Sequence, residues 1–235
     1  GGTYMLGYPK TTYQQSYFDT AGVPGSVEYE GSAKGKFGLY AEVGLFRMNG
    51  RKVINYMDYG LAYKWFRGGE DYSLATTYNG TPLTPLNVEG SFGDHLISGN
   101  FRIGHRYDAS ETKYVVNGLG LNLDYHIISG RSGTPPIPTN DDYKGDGPNS
   151  LLGEMHYFFG MGFKTGGRLM IMPIIETPIL ALWPFNHIVS THPYWNVRFR
   201  PIMFRIRFMF LSKGSKSCPK VYNPMGIDPY NQLDK

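Results

Sequence analysis

The chain of 235 residues holds a single cysteine, Cys218, so it forms no disulfide within itself and has no cysteine-cluster metal site. Charged residues are scarce, at 18%, and the net charge of +4 is too small for a protein that grips a phosphate backbone. No run of about 18 apolar residues occurs, which excludes a membrane-spanning helix. Wholesale disorder is excluded as well, because that state needs a chain poor in apolar and aromatic residues, and here 15% are aromatic. The nucleophile-elbow, two-histidine zincin and phosphate-loop patterns are missing, and the Ser-x-x-Lys spacing at Ser110 and Lys113 stands in a predicted turn without its companion motifs. The chain opens on Gly1-Gly2 with no charged leader, as expected where a targeting peptide has been removed or the chain trimmed.

Glycine and tyrosine are what the chain has in quantity, 31 and 19 residues. Seven segments alternate with period two, the pattern of a strand with unlike faces. Residues 36–48 set Phe37, Leu39, Val43 and Leu45 against Gly38, Tyr40, Glu42 and Gly44. Residues 52–66 set Met57, Tyr59, Leu61 and Tyr63 against Tyr56, Asp58, Ala62 and Lys64. Residues 95–106 set Ile97, Phe101 and Ile103 against Ser98, Asn100, Arg102 and Arg106; residues 112–128 set Leu119, Leu121 and Leu123 against Gly120, Asn122, Asp124 and His126. Residues 151–163 place Glu154, His156, Gly160 and Gly162 opposite Met155, Tyr157 and Phe159, and residues 168–180 place Arg168 and Glu176 opposite Ile171 and Ile175. In residues 195–211, Arg198 and Arg200 alternate with Val197 and Phe199, then Arg205 and Arg207 with Phe204, Ile206 and Phe208, so the spacing predicts a change of parity near Pro201.

Short turns at 49–51, 108–111 and 164–167 alternate strictly with long connections at 67–94, 129–150 and 181–194. All short turns therefore fall at one end and all long connections at the other. The topology requires one more rising strand at the start, and only residues 2–18 are available for it, although they alternate poorly. That makes eight strands, an even number.

Both a soluble barrel or sandwich and a membrane barrel have one apolar face, so the composition of the polar face discriminates between them. It is rich in glycine, which weakens a solvated strand, and it carries Glu42, Asp58, Asp124, Glu154 and Glu176 with Lys64, Arg102, Arg106, Arg168, Arg198, Arg200, Arg205 and Arg207. A narrow lumen of about eight strands is filled by such a mixture. The tryptophans Trp65, Trp183 and Trp195 fall at strand borders near the long connections, where an aromatic girdle would sit.

Taken together, alternation, turn asymmetry and aromatic borders across residues 3–211 resemble the small outer-membrane barrels of Gram-negative bacteria, and the Gly- and Tyr-rich style is similar to envelope proteins of the Bacteroidota. The expected fold is all-β, a closed antiparallel up-and-down transmembrane β-barrel over residues 1–211, with an extended tail at 212–235 in the periplasm. The resemblance implies an outer-membrane location and contact with membrane lipid or lipopolysaccharide. Such barrels end on an aromatic residue of the last strand; here Phe208 and Phe210 are followed by the tail, with Pro219, Pro224 and Pro229. About 24 extended residues reach ~70 Å, so the tail is the expected contact for other outer-membrane or periplasmic proteins.

Candidate chemistry centres on Asp124-x-His126 and Glu154-x-His156. Spacing of two puts both members of each pair on the lumen face, and the connection 129–150 makes the strands hairpin partners. A carboxylate holding an imidazole suits general-base catalysis, and two such pairs could hold a transition metal; the other reading is a network that neutralises the surplus arginines. Residues 140–147 resemble a calcium loop faintly, but Lys144 stands where an oxygen ligand is wanted. The reading is a non-enzymatic accessory subunit of an envelope assembly, without cofactor, metal or nucleic acid; the alternative is a lipid- or peptide-modifying enzyme using Asp124, His126, Glu154 and His156. A solute channel is disfavoured by the narrow lumen.

Overall fold

The computed structural model describes residues 1–8, 11–18, 21–49, 53–133, 149–165, 168–184, 191–194 and 197–210. Among the described residues eleven strands follow in order: β1 (Gly2–Gly7), β2 (Thr11–Phe18), β3 (Pro24–Met48), β4 (Tyr56–Tyr78), β5 (Thr81–Pro82), β6 (Leu86–Asp108), β7 (Lys113–Ser132), β8 (Leu151–Thr165), β9 (Leu169–Trp183), β10 (His192–Tyr194) and β11 (Val197–Phe210). Among the described residues no helix is long and apolar enough to cross a membrane.

Every strand pairing is antiparallel, and eight strands close a ring, β1-β3-β4-β6-β7-β8-β9-β11 and back to β1. This is the closed up-and-down barrel that the alternation and turn asymmetry predict. β1 closes it, with Gly2 level with Phe204 on β11 and with Leu39 on β3. The closure is tight: a side chain on Gly38 would strike the Trp65 carbonyl oxygen, the same oxygen that accepts a 2.6 Å hydrogen bond from the Thr3 hydroxyl.

Period two sets the inside and the outside. On β4, β6 and β7 the even-numbered residues turn inward through the ring, and on β11 the odd-numbered ones do. The interior is layered. Toward the long connections Met5, Phe66, Phe92, Leu96, Tyr194, Val197 and Phe199 pack together. Toward the short turns Tyr56, Tyr114, Val116, Phe158, Met172 and Met209 do the same, with the Tyr114 ring lying where Gly162 leaves space. Ionised and polar side chains occupy the level between, as β11 shows in order: Val197 and Phe199, then Arg205 and Arg207, then Met209.

Three expectations about connectivity need correction. Residues 2–18 are not one strand: β1 and β2 lie end to end along the same edge of β3, at Phe37–Leu39 and Pro24–Gly31 respectively. Residues 67–94 are not a loop, since β4 and β6 continue past the ring and pair out to Leu74 and Leu86. β3 likewise starts at Pro24 rather than at residue 36. A register shift between Lys36 and Tyr40 reverses the inward parity of β3 where it leaves the ring. That reversal hides the extension from a period-two reading. The short turns at 49–51 and 164–167 and the connections at 129–150 and 181–194 include residues outside the described ones.

Candidate functional site

Arg102 on β6 is the hub of the polar level and is fully buried. Its Nε donates to Glu176 at 2.8 Å, its Nη1 to Glu42 at 2.7 Å and Asp58 at 2.9 Å, and its Nη2 to the Tyr40 hydroxyl at 3.2 Å. From β11, Arg205 Nη1 donates to Glu42 at 3.1 Å and Nη2 to Glu176, while Arg207 donates to Asp58 at 2.6 Å and Glu42 at 2.8 Å. Tyr40 and Tyr56 each donate to a carboxylate at 2.7 Å, Glu42 and Asp58. A second centre is Lys64, whose Nζ reaches both oxygens of Asp124 at 2.8 Å, with both side chains wholly buried. Arg106 pairs with Asp108 at 3.0 Å nearer the short turns.

Glu42, Asp58, Lys64, Arg102, Arg106, Asp124, Glu154, Glu176, Arg205 and Arg207 all face inward, as five cations against five carboxylates. Three arginines assigned to the lumen are not there. Arg168 is exposed, ahead of β9. Arg198 and Arg200 lie on the outer face, because β11 keeps one parity throughout: Pro201 itself turns inward, between buried Phe199 and Met203. The apparent surplus of positive charge therefore disappears. Burying unpaired guanidinium groups would be prohibitive.

The four candidate residues for chemistry do not form one cluster. Asp124 is committed to Lys64. His126 Nε2 stands 3.9 Å from Asp94, beyond hydrogen-bond reach. Glu154 and His156 do meet, at 3.3 Å, but the other imidazole nitrogen of His156 is 3.2 Å from Glu176 and 3.1 Å from the Asn122 amide. With both nitrogens engaged, His156 has none left to take a substrate proton. Glu154 also receives His192 of β10 at 3.3 Å. Among the described residues no group of three or more His, Cys, Asp or Glu side chains is arranged to hold a metal ion.

Asp94 and His192 went unrecognised in the sequence. Asp94 continues the inward series of β6 by one step and accepts a hydrogen bond from the buried Tyr194 hydroxyl. His192 lies in a connection with no periodicity, so no sequence signal marks it. Of the tryptophans, Trp65 faces outward and stacks on His95 with ring centroids 5.4 Å apart, and Trp183 is exposed at the end of β9. Trp195, residues 140–147, Cys218 and the tail 212–235 lie outside the described residues.

Comparison with family models, with curated proteins and with solved structures found no match.

Proposed function

We propose that this chain is a non-enzymatic outer-membrane β-barrel that serves as an accessory, structural subunit of a larger envelope assembly of the barrel-assembly or protein-secretion kind. The observation that carries this reading is the inversion of polarity across the wall. Arg102, Lys64, Asp124 and Glu176 are buried at 0% exposure, while Val43 is 77%, Leu61 63%, Leu123 54%, Ile206 60% and Phe208 60% exposed. Water would penalise that outer surface, whereas a bilayer is its natural solvent. The outward residues of β7 run from Val115 to Ile127, beyond the ~9–11 positions a tilted strand needs to cross. Trp65, facing outward on β4, and Trp183 at the end of β9 suit an interfacial girdle facing lipid or lipopolysaccharide.

The filled interior supports the structural reading over a solute channel. Aromatic and aliphatic side chains fill much of the lumen on both sides of the ionic level, as a narrow barrel requires. The tail 212–235 remains the proposed arm toward outer-membrane or periplasmic partners. Gentle-detergent extraction of native membranes followed by pull-down is the test. Larger envelope proteins should co-purify in fixed stoichiometry and be lost when residues 212–235 are deleted. Recovery of the chain alone would overturn the accessory role. In the same strains His126→Asn and His156→Gln should leave the envelope unaltered; a lost activity would restore the enzymatic reading.

A further inference from the structure

The outer wall changes chemistry at one level, where the sheet extension leaves the ring. On β4 the outward residues pass from Leu61 and Tyr63 through Trp65 to Arg67, and on β3 from Val43 and Leu39 through Phe37 to Lys36. On β6 they pass from Phe101 and Ile97 to His95. The register sets these steps side by side, with Lys36 opposite Arg67 and Trp65 opposite His95. Tyr4 of β1 is level with Phe37 on one side and Ile202 on the other, and Arg200 stands two residues beyond Ile202 toward the extension, level with Leu6. Rings form a belt beneath the cations. Tyr4 and Phe37 have centroids 4.9 Å apart, Trp65 stacks on His95, and the Arg67 guanidinium lies 4.6 Å over the Trp65 ring. Among the described residues Lys36, Arg67 and Arg200 form no ion pair, and Arg200 Nε has no hydrogen-bond partner. One step further into the extension the pattern differs, for Lys34 pairs with Asp71 and stands 4.0 Å from Glu89.

We propose that this row of cations is a binding site for the phosphates of a lipid headgroup, whose acyl chains lie against Phe37, Leu39, Leu61 and Ile97. The inference rests on the membrane reading above and assigns the lipid chemistry at one place on the wall. Three cations without a carboxylate select an anion, and the exposed apolar wall directly beneath them selects one attached to hydrocarbon. The aromatic belt between the two is what an interface between hydrocarbon and headgroups calls for. Arg67 offers a planar fork suited to two phosphate oxygens, and Lys36 adds a point charge beside it. Gly69 leaves room for that ammonium, whose Nζ is 3.5 Å from where a side-chain carbon would stand. Arg200 is three strands away from Arg67, about 14 Å at ~4.8 Å per strand, and serves a second phosphate. A headgroup with two phosphates therefore fits better than one with a single phosphate, and a zwitterionic headgroup lacks the net charge.

The probe is diphosphoryl lipid A, titrated onto the full chain in non-ionic detergent and followed by native mass spectrometry, with phosphatidylcholine as the zwitterionic comparison. One lipid A per chain should be retained and phosphatidylcholine should not. Lys36→Gln combined with Arg67→Gln should weaken retention about tenfold or more, the worth of one charge-assisted hydrogen bond. Arg200→Gln should weaken diphosphoryl lipid A more than its monophosphoryl form. Lys113→Gln, an exposed cation at the short-turn end, should leave retention unchanged. All these positions are on the surface, so each variant should still migrate unheated as a folded barrel. An equal loss with Lys113→Gln overturns the proposal by reducing it to general attraction. Phosphatidylcholine held as tightly as lipid A, or lipid A displaced by an equal concentration of inorganic phosphate, overturns it as well, the latter by making the row a site for free phosphate. Those outcomes sink the headgroup site alone when the chain still requires detergent. A chain that stays soluble and monomeric without detergent sinks the membrane reading with it.

Discussion

The same two strands, β3 and β11, are held together differently at the two ends of the barrel. Toward the long connections β1 lies between them and hydrogen-bonds to both, backed by Met5, Phe199 and Tyr194. Toward the short turns no described strand lies between them, and Arg205 and Arg207 reach from β11 to Glu42 and Asp58. The difference teaches that the same two strands can be tied by backbone at one level and by ionic side chains at another, the second at a cost. Buried ion pairs largely offset their own attraction by desolvation, so they hold geometry better than they add stability. The lower half should therefore be the first part of the ring to open.

The largest effect is expected for Arg102→Leu, which leaves Glu42, Asp58 and Glu176 facing one another without their shared cation. Removing one partner from such a buried network costs about 3–5 kcal/mol, to be read from urea unfolding in lipid vesicles. A loss under about 1 kcal/mol would mean that water or the remaining arginines compensate. A smaller and local effect is expected for Arg207→Met, which removes the bonds to Asp58 and Glu42. Roughly 1–3 kcal/mol should be lost, with faster amide exchange at 206–210 and 41–48 and unchanged exchange in β1. Acceleration of β1 by the same factor would abolish the distinction between the two halves.

The smallest effect belongs to the sheet extension outside the ring, where Lys34 pairs with Asp71 and stands 4.0 Å from Glu89. The hydrogen bond to Asp71 raises the Lys34 pKa above its ordinary value, against an opposing effect of desolvation. A raised lysine stabilises the folded state at neutral pH and loses that contribution only as the pH climbs through its raised value. Lys34→Met should thus leave the unfolding midpoint almost unchanged at neutral pH, with any difference from the parent vanishing in strong alkali; a difference that grows with pH would reverse the sign argued here.

Much of the ring was legible in the sequence. The faces of β4, β6, β7 and β8 follow from period two because each keeps one apolar and one polar side through the ring. β11 misled where Val197 and Phe199 looked like lipid-facing residues: they are apolar yet point inward, into the plug around Phe92 and Tyr194, and this put Arg198 and Arg200 on the wrong face. The continuation of β3, β4 and β6 beyond the ring was hidden by a one-residue register shift and by glycines and polar residues that read as loop. The pairs Asp124/His126 and Glu154/His156 were correctly placed on inward-facing positions, but spacing along a strand carries no information about what lies across the lumen.

Alternation and turn asymmetry, which are local properties of the chain, determined an even-stranded barrel with an apolar outside and a charged inside. The tertiary structure alone decided which inward charge meets which. Lys64 takes Asp124 and Arg102 takes Glu176 across sequence separations of 60 and 74 residues, distances set by strand stagger and closure.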